Sequence, residues 1–288
     1  MASPSTARIE AAAGNPPRIS FIGWVRVGLR IGGLFGLALI CVPLHYLWKA
    51  VRAASPWPRL FLGAAGRVSG ARVTRTGTPL RRNVVFISNH VSWIDILAIA
   101  GSSGSAFVAK AELRAAPVVG WLSTLNRTIF VAREDRMGVA QQIDRLKEAI
   151  ADAWSVTIFP EGTTTDGRSL LPFKSPLLRV LEPPPPGLMV QPLVLDYGDV
   201  GPEIGWIGIE LGKDNALRVL ARRGSFVVRT VYLEPFDPRD FPGRKAIAAE
   251  ARARIETALG AILGHPTPAF IGHDAVAERR WATVHTAI

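Results

Sequence analysis

Among 288 residues there is a single cysteine, Cys41, which excludes a disulfide framework and a cysteine-based zinc site. Charged residues are scarce at 20%, and no dense Lys/Arg run occurs even though Lys and Arg outnumber Asp and Glu by 34 to 23. Nucleic-acid binders concentrate their positive charge in runs or stripes. Here the net +11 is scattered through apolar sequence, which points to an anionic membrane surface as partner and away from nucleic acid. Low hydrophobicity is also missing. With 48% hydrophobic residues the chain lies outside the disordered class and is long enough for a well-buried core. There is no G-x-S-x-G nucleophile elbow, and no second histidine stands at metal spacing from His90; the others are His45, His265, His273 and His285.

Residues 1–20 are small, polar and broken by Pro16 and Pro17, and they read as a loose tail. Residues 21–52 read as a membrane-associated helical segment. Within it Ile31–Trp48 carries no formal charge, and its eighteen residues would span about 27 Å as a helix, close to the hydrocarbon thickness of a bilayer. Pro43 is expected to kink or break that helix, so a re-entrant or interfacial helix pair competes with a full span, and a buried core helix is the plainer alternative. Basic residues flank both ends (Arg26 and Arg30, then Lys49 and Arg52), so charge does not fix the orientation.

Beyond a short basic connector the pattern alternates. Asn83–Ser88, Ala106–Ala109, Thr128–Val131, Val156–Phe159 and Met189–Leu195 read as short buried strands. Val139, Ile143, Leu146 and Ile150 mark one amphipathic helix, and Ile247, Ala251, Ile255, Ala258 and Ile262 mark another. This alternation predicts an α/β fold over residues 53–263, a mostly parallel sheet flanked by helices, followed by a tail at 264–288.

Two segments carry chemistry. In SNHVSWIDIL (Ser88–Leu97), His90 follows an apolar strand and Asp95 falls in the first turn of a helix. Ligand sites of open α/β sheets gather at such strand ends. A carboxylate there can reach one imidazole nitrogen, fix its tautomer and stabilise the imidazolium formed when the other takes a proton. Ser92-x-x-Asp95 also fits a capping box, a purely structural use of the same aspartate. In IFPEGTTTDG (Ile158–Gly167) a strand again runs into a turn: Glu161 and Gly162 end the strand and Thr163 to Thr165 offer hydroxyls and backbone N–H groups, an ordinary polar loop with Glu161 solvated being the plainer reading. A general base without a protein nucleophile implies that the substrate brings its own. Hydroxyl attack on an activated acyl group is one such reaction.

H-x4-D followed by F-P-E-G about seventy positions later resembles the glycerolipid acyltransferase family, in particular its 1-acylglycerol-3-phosphate and lysophospholipid acyltransferases. Ala109–Leu113 with Pro117 and Gly120, Thr128–Arg133, Leu171–Lys174 and Val190–Val194 are similar to further blocks of that family, so the resemblance covers roughly Leu80 to Tyr197. It implies that His90 is the general base, that Asp95 orients it, and that Arg133, Glu161, Gly162, Thr163 and Thr164 help bind the acceptor. The acceptor would be a lysolipid such as 1-acylglycerol-3-phosphate, and the donor an acyl carrier protein or coenzyme A thioester, with no metal or other cofactor. The place of action would be the inner (cytoplasmic) membrane, catalytic domain towards the cytoplasm. Two departures stand out. Arg127 occupies the position of the family's glycine, and Thr164 replaces the arginine that usually goes with phosphate-bearing acceptors. The Thr-Thr-Asp-Gly run is similar to lyso-ornithine lipid acyltransferases, while Arg127 offers a compensating phosphate contact. A thioesterase with His90 activating water, and a non-catalytic basic membrane-surface or nucleic-acid-binding protein, are the readings from other classes.

Overall fold

The computed structural model describes residues 5–52, 55–110, 114, 117–131 and 155–270. The helix expected around Val139–Ile150, together with Arg133, lies outside them. Seven strands are β1 (Ala71–Thr76), β2 (Val84–Ser88), β3 (Ala106–Lys110), β4 (Ile129–Val131), β5 (Ser155–Ile158), β6 (Met189–Asp196) and β7 (Phe226–Tyr232). They form one sheet in the order β1-β7-β6-β2-β5-β3-β4. All neighbours run parallel except β6 and β7, which are antiparallel. The mostly parallel α/β fold is as the sequence predicts.

β2 is buried at every residue because it lies mid-sheet with both faces covered. Its side chains alternate: Val85 and Ile87 join the core made with helix α8 (Arg244–Leu263), while Val84 and Phe86 pack towards helix α4 (Ile94–Ser103). Helix α3 (Trp57–Val68) crosses α4 where Gly63 meets Gly101, and a Cβ on Gly101 would come within 2.6 Å of the Gly63 Cα. The approach requires glycine at 101, whereas a Cβ on Gly63 would sit at ordinary contact, 3.5 Å from the Gly101 Cα. The crossing seats α4, and with it Asp95.

The first twenty residues are not a loose tail throughout. Thr6–Ala12 forms helix α1, and Arg8 is buried, with Nη1 3.1 Å from the Glu210 carboxylate. Beyond the short helix α6 (Gly201–Ile204), Arg218 of helix α7 (Gly212–Ala221) binds the same carboxylate at 2.9 Å from its Nε. A buried guanidinium persists only with such a partner, and this one stands 202 positions away, out of reach of local sequence patterns.

Helix α2 (Phe21–Ala50) runs through Pro43 without a break. The proline forfeits the hydrogen bond of its own missing N–H, and the turns on either side carry the helix on. Only Gly23, Val27 and Cys41 of this helix are buried. Arg26 and Arg30 dock it by donating to carbonyls at the end of α7 and at Gly224, and Gly33 sits against Val68 of α3. One narrow stripe therefore faces the protein, and Phe21, Leu29, Phe35, Leu39 and Leu47 stand exposed on the rest.

Candidate active site

β2 delivers Asn89 and His90 to its carboxyl end. The Asn89 amide clasps β6, donating to the Leu195 carbonyl at 2.9 Å and accepting from the Leu195 N–H at 2.8 Å. The chain then turns through Val91–Trp93 into α4, whose first turn carries Asp95.

Oδ2 of Asp95 accepts from the N–H of Val91 at 2.7 Å and of Ser92 at 2.9 Å, and lies 2.7 Å from Nδ1 of His90. Beside a carboxylate, Nδ1 carries the proton and Nε2 keeps its lone pair. Asp95 is fully buried, whereas the His90 side chain is 20% exposed. Phe159, from the turn after β5, stacks on the imidazole at 4.0 Å between centroids and fixes the ring plane. Both readings of Asp95 hold in part. Its carboxylate does reach back to the Ser92 N–H as in a capping box, but the Ser92 hydroxyl has no partner among the described residues, so the reciprocal half does not form.

The F-P-E-G segment grips His90 from behind. Glu161 is fully buried, and its two carboxylate oxygens accept from the N–H of His90 at 2.8 Å and of Leu171 at 2.9 Å. Burial pushes its pKa up to about 8; the Leu171 and His90 donors restrain the rise and the nearby Asp95 charge adds to it. On the other side of the same residue, the His90 carbonyl accepts from the Thr165 N–H at 2.8 Å. Gly162 closes the turn with φ 76, a left-handed conformation glycine adopts without a Cβ penalty.

The residues singled out in the sequence therefore separate. His90, Asp95 and Glu161 form one cluster, but the Glu161 carboxylate is turned into the protein. Thr164 is buried too, its hydroxyl donating to the Trp206 carbonyl, so a longer side chain at 164 would displace that contact. Gly162 and Thr163 are half-buried. Arg127 follows helix α5 (Pro117–Leu125) with φ 57, which explains a glycine preference at this position, and its charge falls near His45 of α2. Sequence reading missed Tyr197, whose hydroxyl donates to Oδ1 of Asp95. A lone aromatic after an apolar strand carries no periodic signal; only the adjacency of β6 and β2 brings it to the site.

A family model described as Acyltransferase matches residues 67–196. Lyso-ornithine lipid O-acyltransferase of Rhizobium meliloti is 31% identical over 274 residues, covering 86% of this chain and 94% of that protein. The protein of the same name from Pseudomonas aeruginosa is 35% identical over 252 residues, covering 82% and 94%. Among solved structures, the 1-acyl-sn-glycerophosphate acyltransferase of Thermotoga maritima shares the fold with a TM-score of 0.60 at 22% identity, covering 85% of this chain and all of that one.

Proposed function

The chain belongs to the acyltransferase family, and on that footing we propose that it acylates the free hydroxyl of a lyso-ornithine lipid at a membrane surface. The observation that carries the reaction is the His90–Asp95 pair, Nδ1 on a buried carboxylate at 2.7 Å and the imidazole partly open at the ends of the parallel strands. Nε2 of His90 takes the proton of the acceptor hydroxyl as its oxygen attacks the thioester carbonyl. The tetrahedral intermediate then expels the thiolate, which recovers the proton from the imidazolium. Oxygen gains an acyl group, the C–S bond breaks, and no covalent enzyme intermediate forms. Glu161 and Thr165 hold the His90 backbone still throughout.

The acceptor assignment draws on Thr164 and on the names of the long-matching relatives. A phosphate monoester calls for an arginine fork, and an ornithine head group, which has no phosphate, does not. 1-Acylglycerol-3-phosphate is the second reading, favoured by Arg127 as a remaining guanidinium on a neighbouring block. Residues 53–263 make the catalytic domain. Residues 21–52 seat it, with the exposed apolar face of α2 lying in one leaflet of the inner membrane from the cytoplasmic side. The donor is an acyl thioester of acyl carrier protein or coenzyme A.

Purified enzyme in mixed micelles, supplied with each donor and with lyso-ornithine lipid or 1-acylglycerol-3-phosphate, tests the reading. We expect the higher kcat/KM with lyso-ornithine lipid. Preference for the phosphate acceptor reverses the assignment, and acyl release at the same rate without any lysolipid makes the protein a thioesterase.

A further inference from the structure

Asp95 does not act on His90 alone. Its Oδ2 carries the imidazole and two backbone donors, while its Oδ1 takes the hydroxyl of Tyr197. Tyr197 is 3% exposed and is the first residue after β6. Its ring is stacked on Phe226 of β7 at 6.2 Å between centroids, and β6 is pinned to the end of β2 by the Asn89 clasp. The hydroxyl is thus aimed from a rigid sheet, and a phenylalanine would fill the same space. Burying a hydroxyl has a desolvation cost that its bond to Asp95 offsets.

We propose that Tyr197 is a positioning residue for acyl transfer, its hydroxyl fixing the second oxygen of Asp95 and setting how strongly that carboxylate holds the His90 imidazolium. The inference rests on His90 acting as general base; Tyr197 itself touches no reacting atom. Burial, and then the charge of Asp95, push the Tyr197 phenol well above its ordinary range, so it stays a donor at working pH. Among the described residues the ionisable groups around it are few. Asp95 meets it from the first turn of α4, His90 sits on the other oxygen of that carboxylate, and Glu161 lies behind His90 on the β5 turn. Asp196, its neighbour in the chain, is occupied by Arg229 of β7.

The sign of the effect follows. A carboxylate that loses a donor becomes a stronger base, so the His90–Asp95 pair keeps its proton to higher pH. Because His90 works only when neutral, the acidic limb of kcat/KM reports the proton affinity of the pair. In Tyr197→Phe we expect that limb to move up by about one pH unit, and the plateau to fall about tenfold as Oδ1 loses its anchor. KM for the lysolipid should stay within about twofold, since the hydroxyl is buried away from it. Site-specific 3-fluorotyrosine at 197, a more acidic phenol and stronger donor, should move the limb the opposite way. Circular dichroism checks the fold of both proteins, and if the phenylalanine variant fails to fold the fluorinated one decides alone. A limb that stays at the wild-type pH in every folded variant overturns the proposal, leaving Tyr197 as packing. His90→Ala measured alongside separates the two claims: full activity there sinks the general base itself, whereas an inactive His90→Ala beside unmoved limbs sinks only the role of Tyr197.

Discussion

Replacing Glu161 by glutamine separates two roles that the F-P-E-G segment is able to play. If the carboxylate met the acceptor, the substitution would raise KM and leave the fold alone. The structure instead gives both oxygens to backbone N–H groups of His90 and Leu171, at 2.8 and 2.9 Å, in a fully buried site. Even a protonated carboxyl keeps acceptor capacity on each oxygen, but the NH2 of an amide has none. One buried N–H therefore loses its partner, at about 1–3 kcal/mol. For a protein of this size that is roughly 2–10 °C in the unfolding midpoint. Because the weakened bond anchors the His90 peptide, kcat should fall further than KM rises. The pH dependence has a definite sign. The folded-state pKa of about 8 lies above the ordinary 4.5, so the native protein binds this proton more tightly than the unfolded chain. Its stabilising contribution is complete below about 4.5 and fades as pH climbs towards 8, so the margin of wild type over Glu161→Gln narrows across that window. Denaturant unfolding in detergent across pH, with steady-state kinetics on the same preparations, measures all three effects. A raised KM with an unchanged midpoint would refute the brace and return Glu161 to the acceptor.

Glu210→Ala leaves the Arg8 and Arg218 guanidiniums buried without their counter-charge and should cost about 3–5 kcal/mol by urea unfolding. Arg8→Met should cost much less, because Arg218 still neutralises Glu210; equal losses would contradict the network. Leu29→Glu combined with Phe35→Glu, on the exposed face of α2, should shift the protein from the membrane pellet to the soluble fraction with its fold intact. Unchanged sedimentation would mean that α2 does not seat the protein. Deleting residues 1–52 is a poorer test, since it also removes Arg8 from its buried site.

The centre of the sheet was legible in the sequence for a physical reason. β2, β5 and β6 are buried on both faces and so appear as mainly apolar runs without the alternation of a half-exposed strand. β1 and β7 carry no such signal. ARVTRT sits at the sheet edge and is mostly exposed, and FVVRTVY alternates buried and exposed residues around Arg229. Both lack the continuous hydrophobicity that marks an interior strand. In the site, His90 and Asp95 were legible because five positions and a helix turn suffice to bring them together. Tyr197 reaches Asp95 across 102 positions and Glu161 reaches His90 across 71, so only the strand order reveals the first and the direction of the second. Motif spacing marked Glu161 as important, but not which way its carboxylate points.

Whether His90 removes the proton from the acceptor hydroxyl is read from the turnover of His90→Ala. Wild type and variant, matched in circular dichroism and in membrane association, are given acyl thioester and lyso-ornithine lipid in mixed micelles, and the acylated product is quantified. We expect a loss of about 10²–10⁴-fold or more in kcat, because among the described residues no other group at the site is placed to take the proton. Turnover within a few-fold of wild type would contradict it.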